Sequence, residues 1–279
     1  MSIMPSLAFT PTNGSSAHEP FLKFFDCWLV EQNNYLQELI SACKDYDRNK
    51  NNTRGSAESS QATLQPLINR VLGHYEHYYG AKSRWAKKDV LSMLSPSWKS
   101  ALEGAFLWIG GWRPTMAFHL LYSKSGIQLE AQLHELIRGI GTGDLGDLSP
   151  SQLTRVDELQ RKTIREEKEL TEKFAKHQET VADSSMVELS HEVSELLRSE
   201  QTDHEAEEER VESTLAAKEE GWEEILQEAD DIRVRTLKGV IEILTPIQAV
   251  HFLIAAAELH LRLHDWGKKR DDRAHRGPH

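Results

Sequence analysis

From residue 151 to residue 220 the chain contains neither proline nor glycine while being dense in charge, and this one segment limits the fold more than any other. A stretch that long without turn chemistry reads as long helix, because strands are short and are punctuated by Gly, Pro, Asn and Asp. Val156, Leu159, Thr163, Leu170, Phe174, His177 and Val181 trace one narrow apolar stripe at coiled-coil-like spacing. Met186, Leu189, Val193, Leu196 and Leu197 trace another, with Asp183-Ser184-Ser185 as a break between them. Between Glu200 and Asp231 there are fourteen acidic residues against two basic ones, a run that predicts a solvated face or a docking surface for a basic partner.

The remainder shows the same period. Phe21, Phe24, Phe25, Trp28, Leu29, Tyr35, Leu36, Leu39 and Ile40 predict a first helix, and Leu64, Leu67, Ile68, Val71, Leu72, Tyr75 and Tyr79 a second, from near Thr63 to about Tyr79. Ser95-Pro96, Ser149-Pro150 and Thr245-Pro246 each pair an N-cap hydroxyl with proline at the first helical position. Gln152 and Gln248 complete capping boxes in the last two. Residues 232–266 split at Thr245-Pro246 into two further helices. No alternating apolar run bounded by turn pairs competes, so the fold class is all-α, a single large helical bundle with long, charged antiparallel helices. The expected organisation is a disordered tail over 1–19, a helical domain over 20–267 with a mobile loop at 44–62, and a disordered tail over 268–279.

Composition narrows function. At 279 residues with 39% hydrophobic side chains the chain can bury a sizeable core. Its net charge of −11 opposes attraction to a phosphate backbone, so no autonomous DNA binding is expected. Two cysteines, Cys27 and Cys43, do not make a disulfide scaffold, which fits a reducing compartment. No segment approaches the roughly 20 apolar residues needed to span a bilayer, and the start lacks the charged and apolar regions of a secretory signal.

Candidate chemistry is sparse. His260 and His264 stand one helical turn apart and present two imidazoles on one face, an arrangement suited to a metal or haem. A zincin would need glutamate directly after the first histidine, and Leu261 stands there. His74 and His77 share a face beside Tyr75, Tyr78 and Tyr79 and read as packing residues, while His119 and His251 have no partner that spacing identifies. Phosphate loops, nucleophile elbows and recognisable cysteine–base pairs are all missing, so the chain is read as a non-enzyme.

The run Trp98-Lys99-Ser100-Ala101-Leu102-Glu103-Gly104-Ala105-Phe106-Leu107-Trp108-Ile109-Gly110-Gly111-Trp112-Arg113-Pro114 is the most distinctive in the chain. Read physically, it is either an aromatic core around a tight turn, with Gly110 and Gly111 ending a helix and Pro114 opening the next, or a ligand- or partner-binding turn. Upstream stand His74-Tyr75-Glu76-His77-Tyr78-Tyr79 and Ala81-Lys82, and downstream Ala229-Asp230-Asp231-Ile232-Arg233 and Leu244-Thr245-Pro246-Ile247-Gln248-Ala249. Together these motifs resemble the plant delay-of-germination (dormancy regulator) family, whose domain is shared with the C-terminal region of TGA-type bZIP transcription factors. About 20 residues without Lys or Arg precede the first helix, so no bZIP basic region or zipper stands there.

The resemblance implies a regulator of seed dormancy, germination or maturation in the nucleus and cytoplasm. It acts by binding proteins, with type-2C protein phosphatases of abscisic acid signalling as partners. The alternatives it leaves are a co-regulator associating with DNA-bound bZIP factors and a sensor of a hydrophobic molecule such as a fatty acid. It places the signature turn at Trp108, Gly110, Gly111, Trp112 and Arg113, and partner contact at Phe24, Phe25 and Trp28. Haem is implied at His260 and His264, of which one ligates while the other hydrogen-bonds or lines the pocket, since adjacent turns cannot easily reach opposite faces of one iron. Dimerisation of the TGA domain makes a homodimer a further expectation.

Overall fold

The computed structural model describes residues 15–52, 57–137, 144–199 and 204–276. Helix dominates: α1 (Ser15–Asn52), α2 (Ala57–Ala86), the short α3 (Val90–Leu94) and α4 (Ala101–Gly104), α5 (Met116–Ile137), α6 (Pro150–Glu179), α7 (Ser184–Ser199), α8 (His204–Ile243) and α9 (Pro246–Arg276). Among the described residues there is no strand, only one isolated bridge between Trp108 and Gly111. No helix there is long and apolar enough to cross a membrane.

The long helices pair mostly antiparallel, as the cross-contacts show, with α2 and α9 running parallel to each other against α1. Trp28 meets His74 and His260, while Cys43 meets His251, so α1 runs against both α2 and α9. Thr163 meets Thr236 and Lys173 meets Glu228, so α6 runs against α8. On α1 the buried positions Phe21, Phe25, Trp28, Gln32, Leu36 and Leu39 recur at three- and four-residue steps, which keeps one face inward along the helix. Two apolar clusters result. One joins Leu39, Ile68, Phe118, Val156, Val240 and Phe252, and the other joins Phe21, Trp28, Trp98, Leu170, Ile225 and Ala229.

The capping signals at Ser149-Pro150 and Thr245-Pro246 open α6 and α9 with their boxes formed: Gln152 Oε1 accepts from Ser149 N at 3.0 Å and Gln248 Oε1 from Thr245 N at 3.0 Å. Ser95-Pro96 behaves differently. Ser95 ends α3, and the next helix waits for Ser100, whose box with Glu103 opens α4. Pro96 is used for a turn, its carbonyl accepting from Lys99 N at 3.3 Å. Similarly α5 starts two residues after Pro114.

The expected mobile loop over 44–62 is corrected: residues 44–52 continue α1 and residues 57–62 already belong to α2, with residues 53–56 outside the description. Tyr46 packs against the core and Arg48 pairs with Asp45 at 3.2 Å, local contacts that outweigh the polar composition. The C-terminal tail is corrected in the same way, since α9 runs to Arg276. Gly267 lies against Ser100, Ala101 N donates to Asp271 Oδ2 at 3.0 Å, and Lys269 pairs with Asp265 at 2.8 Å. Of the N-terminal tail, residues 15–19 are helical and residues 1–14 lie outside the description. The break at Asp183-Ser184-Ser185 is present, Asp183 Oδ1 accepting from Met186 N at 3.0 Å as α7 begins. Val181, the last residue of the first apolar stripe, is 68% exposed and so does not pack as that stripe implied.

Candidate functional site

The signature folds around a buried cation. Trp108 and Gly111 exchange backbone hydrogen bonds of 2.7 and 3.2 Å across a tight turn, with Ile109 at φ 44° and Gly110 at φ 66°. A branched side chain at positive φ is strained, and the structure holds it by over-determining the turn. Arg233 of α8, fully buried, donates from Nε to Trp112 O at 2.7 Å and from Nη2 to Ile109 O at 2.9 Å, and it also bonds Trp108 O and Asp230. Lys82 of α2 donates to Gly110 O at 2.9 Å and to Asp230 Oδ1 at 3.0 Å. Glycine is required twice for different reasons. A Cβ on Gly110 would stand 2.6 Å from Met93 O in a left-handed backbone, and one on Gly111 would stand 2.7 Å from Arg233 Cζ.

The other signature residues tie the turn outward. Trp112 Nε1 donates to Tyr79 Oη at 2.6 Å and Trp108 Nε1 to Thr171 Oγ1 at 3.0 Å. Arg113 faces away, its Nε donating to Glu167 Oε2 at 2.8 Å on α6. Sequence reasoning passed over Lys82, Asp230 and Arg233 as site residues. The available signal was that all three sit on the apolar stripes of α2 and α8, where an unpaired charge would be too costly to bury.

Beside the turn lies a cavity of about 610 Å³, within the usual range of small-molecule sites. Phe25 and Trp28 of α1, Tyr78 of α2, Leu120 of α5 and Phe252 of α9 line it together with the signature glycines. Its polar groups are few: besides the tyrosines, Lys82, Lys99, Glu103, His119 and His260 are the titratable ones.

The two candidate histidines separate here. His260 lines the cavity, its ring centroid 5.4 Å from that of Trp28, and no hydrogen bond to it occurs among the described residues. Burial, followed by the charge of Lys99, pushes its pKa down to about 3, so the imidazole is neutral. His264 instead turns to Glu103, with Nδ1 3.0 Å from Oε2. Burial raises the Glu103 pKa, but the bond from His264, the charge of Lys99 and two bonds from Ser100 outweigh it and hold the carboxyl at about 2.

Of the expected partner-contact residues, Phe25 and Trp28 lie in the core and Phe24 is half-buried against His77, ring centroids 5.4 Å apart. Trp28 stacks on His74 with centroids 4.6 Å apart and donates from Nε1 to His74 O at 3.1 Å. The outward face of this stretch carries Lys23, Asp26, Cys27 and Val30 instead.

Spacing could not show that Cys43 and His251 meet, Sγ 3.7 Å from Nε2. The polarity of this contact is the reverse of a catalytic dyad. Gln128 Oε1 accepts from Leu145 N at 3.0 Å, so its amide nitrogen faces His251 Nδ1 at 3.3 Å and that nitrogen must be the acceptor. The ring proton therefore sits on Nε2 and points at sulfur, leaving no base for the thiol. Burial, then Asp47, raises the Cys43 pKa to about 11.

A relative in Arabidopsis thaliana, Protein DOG1-like 3, is 32% identical over 75% of this chain and 73% of its own length. The chain belongs to the DOG1 family. The DOG1 family profile, described as seed dormancy control, matches residues 36–123, which include the whole signature and Lys82. Arabidopsis Protein DOG1-like 4 is 31% identical over 90% of the chain and 94% of its length. Arabidopsis Transcription factor TGA2 is 28% identical over 85% of the chain but only 60% of its length, so the DOG1-type helical domain is what the two share.

Proposed function

We propose that this DOG1-family chain is a non-enzymatic regulator of seed dormancy, germination or maturation that senses a hydrophobic small molecule and acts by binding a protein. The observation that carries the reading is the apolar cavity of about 610 Å³ at the signature turn. Its wall includes the inner face of α1, so an occupant bears directly on Phe25 and Trp28 and sets how rigidly α1 presents its outer face. Type-2C protein phosphatases are the proposed partner class, met by that outer face at Asp26, Cys27 and Val30 and in the nucleus and cytoplasm. Association with bZIP factors is the alternative, supported by the domain shared with TGA2. A homodimer would use the same shared domain.

Mass spectrometry of the purified protein under native conditions tests the sensor, with a retained hydrophobic molecule as the expected result. Retention of nothing, together with no uptake of added fatty acid, removes it. Pull-down with purified phosphatases tests the partner. Val30→Glu is the informative variant, because Trp28→Ala would open the core and lose binding for the wrong reason. Binding unchanged by Val30→Glu removes the outer face of α1 from the contact.

Haem is a second reading, favoured by the neutral, unbonded imidazole of His260 facing the cavity. His260 would supply a ligating nitrogen, and His264 would stay with Glu103 to hold α9 against α4. Bound haem supplies a redox-active iron that takes diatomic gases. Hemin titration should give a saturable Soret shift that is lost in His260→Ala and kept in His264→Ala. A double variant that binds hemin as the parent does removes the reading.

A further inference from the structure

Lys99 stands apart from the other buried cations. Arg233 is held by three carbonyls and a carboxylate, and Lys82 by two bonds of 2.9 and 3.0 Å. The Lys99 ammonium has one hydrogen bond among the described residues, a long donation of 3.5 Å to Glu103 Oε1. That carboxylate is engaged elsewhere, since its Oε2 accepts from Ser100 N at 2.9 Å, Ser100 Oγ at 2.8 Å and His264 at 3.0 Å. Lys99 Nζ also lies over the Phe25 ring, 5.6 Å from its centroid, and its side chain is 13% exposed while lining the cavity.

An amine desolvated in an apolar pocket beside other cations is the environment that turns lysine into a nucleophile for carbonyl carbon. Burial is the largest influence lowering the Lys99 pKa, the charge of Arg233 adds to it, and Glu103 opposes both. A free amine is thus more accessible here than at a surface lysine.

We infer that Lys99 binds hydrophobic aldehydes or ketones in the cavity as a reversible imine, with the Glu103 carboxylate as its counter-ion. The Nζ lone pair attacks the carbonyl carbon, the carbonyl oxygen leaves as water with the two amine protons, and the C=N bond forms. Uptake of one proton gives a cationic iminium, which Glu103 and the face of Phe25 both favour. No electron changes hands, so no oxidant or reductant is needed. Lys82 is less suited, because forming an imine there would cost it a bond to Gly110 O or Asp230 and loosen the signature turn.

The inference rests on the cavity being a ligand site, and the test separates the two. Decanal and decanoic acid, matched in chain length, are incubated with the full chain. Native mass spectra are recorded, and cyanoborohydride is then added to fix any imine. The expected outcome is retention of both compounds, and with decanal a stable mass gain equal to the aldehyde less one oxygen, mapped to Lys99 by peptide sequencing. Lys99→Arg keeps a cation over Phe25 and should retain decanoic acid while losing the adduct, and circular dichroism confirms that it folds. Retention of both compounds without an adduct at Lys99, or an adduct spread over surface lysines and unchanged in Lys99→Arg, overturns the imine and leaves the cavity reading standing. Retention of neither compound overturns both.

Discussion

Gly110 and Arg233 show how single residues set the signature turn. Gly110→Ala would place a methyl group 2.6 Å from Met93 O in a left-handed backbone, and the conformation alone costs about 1–2 kcal/mol before the clash is counted. Urea denaturation should show at least that loss of stability, and an unchanged midpoint would mean that the turn adopts another conformation. Arg233→Met tests the charge. It removes the guanidinium shared by three carbonyls and Asp230, leaving that carboxylate buried with Lys82 alone, and breaking a buried pair costs about 3–5 kcal/mol. A loss below about 1 kcal/mol, on the scale of an exposed pair, would mean that solvent reaches the hub.

At the scale of elements, the contact of α1 with α2 is acid-sensitive through His74. Its ring is stacked on Trp28 with Glu31 3.4 Å from Nδ1, and burial, then His77, lowers its pKa to about 4 from an ordinary value of 6.5. The folded state therefore binds fewer protons than the unfolded chain between those values. Stability from this group is complete above pH 6.5 and declines as pH falls, by about 1.4 kcal/mol per pH unit until the folded ring protonates. His260 and His251, whose pKa values are also lowered, slope the same way. His74→Phe should flatten the dependence of unfolding free energy on pH between 6 and 4.5 without abolishing it, and an unaltered slope would show that His74 takes up its proton in the folded state. Helices were legible in the sequence because periodicity and two capping boxes report local energetics. Ser95-Pro96 misled because proline at a cap also serves a turn, and 44–62 misled because composition does not register the packing of Tyr46. The cavity was illegible, since it is made by six helices and the signature turn, which meet only in three dimensions. His260 and His264 could not be told apart because the difference is Glu103, 161 residues from His264.

The whole molecule divides into a packed bundle and a charged arm. Among the described side chains, the last buried one of α6 is Leu170, the first of α8 is Ile225, and none of α7 is buried. The arm is held by polar bonds beside a half-buried apolar stripe of Met186, Leu189, Val193 and Leu196: His177 Nε2 lies 2.8 Å from Lys218 O, Lys218 pairs with Asp183 at 2.7 Å, and Arg210 pairs with Glu192 at 2.6 Å. Exposed pairs of this kind contribute about 0–1 kcal/mol each, whereas the core clusters beneath bury aromatic and aliphatic side chains from six long helices. The acidic face at Glu208, Glu209 and Glu212 is thus carried on a segment the bundle does not need. Because α6 and α8 are already adjacent at His177 and Gly221, a short glycine–serine linker can replace residues 181–217 without straining either helix. Such a variant should stay folded, lower the melting temperature by no more than about 4 °C, equivalent to about 1 kcal/mol in a chain of this size, and keep the cavity's affinity for decanoic acid. A larger drop, or loss of the ligand, would mean that the arm supports the bundle from a distance through α8.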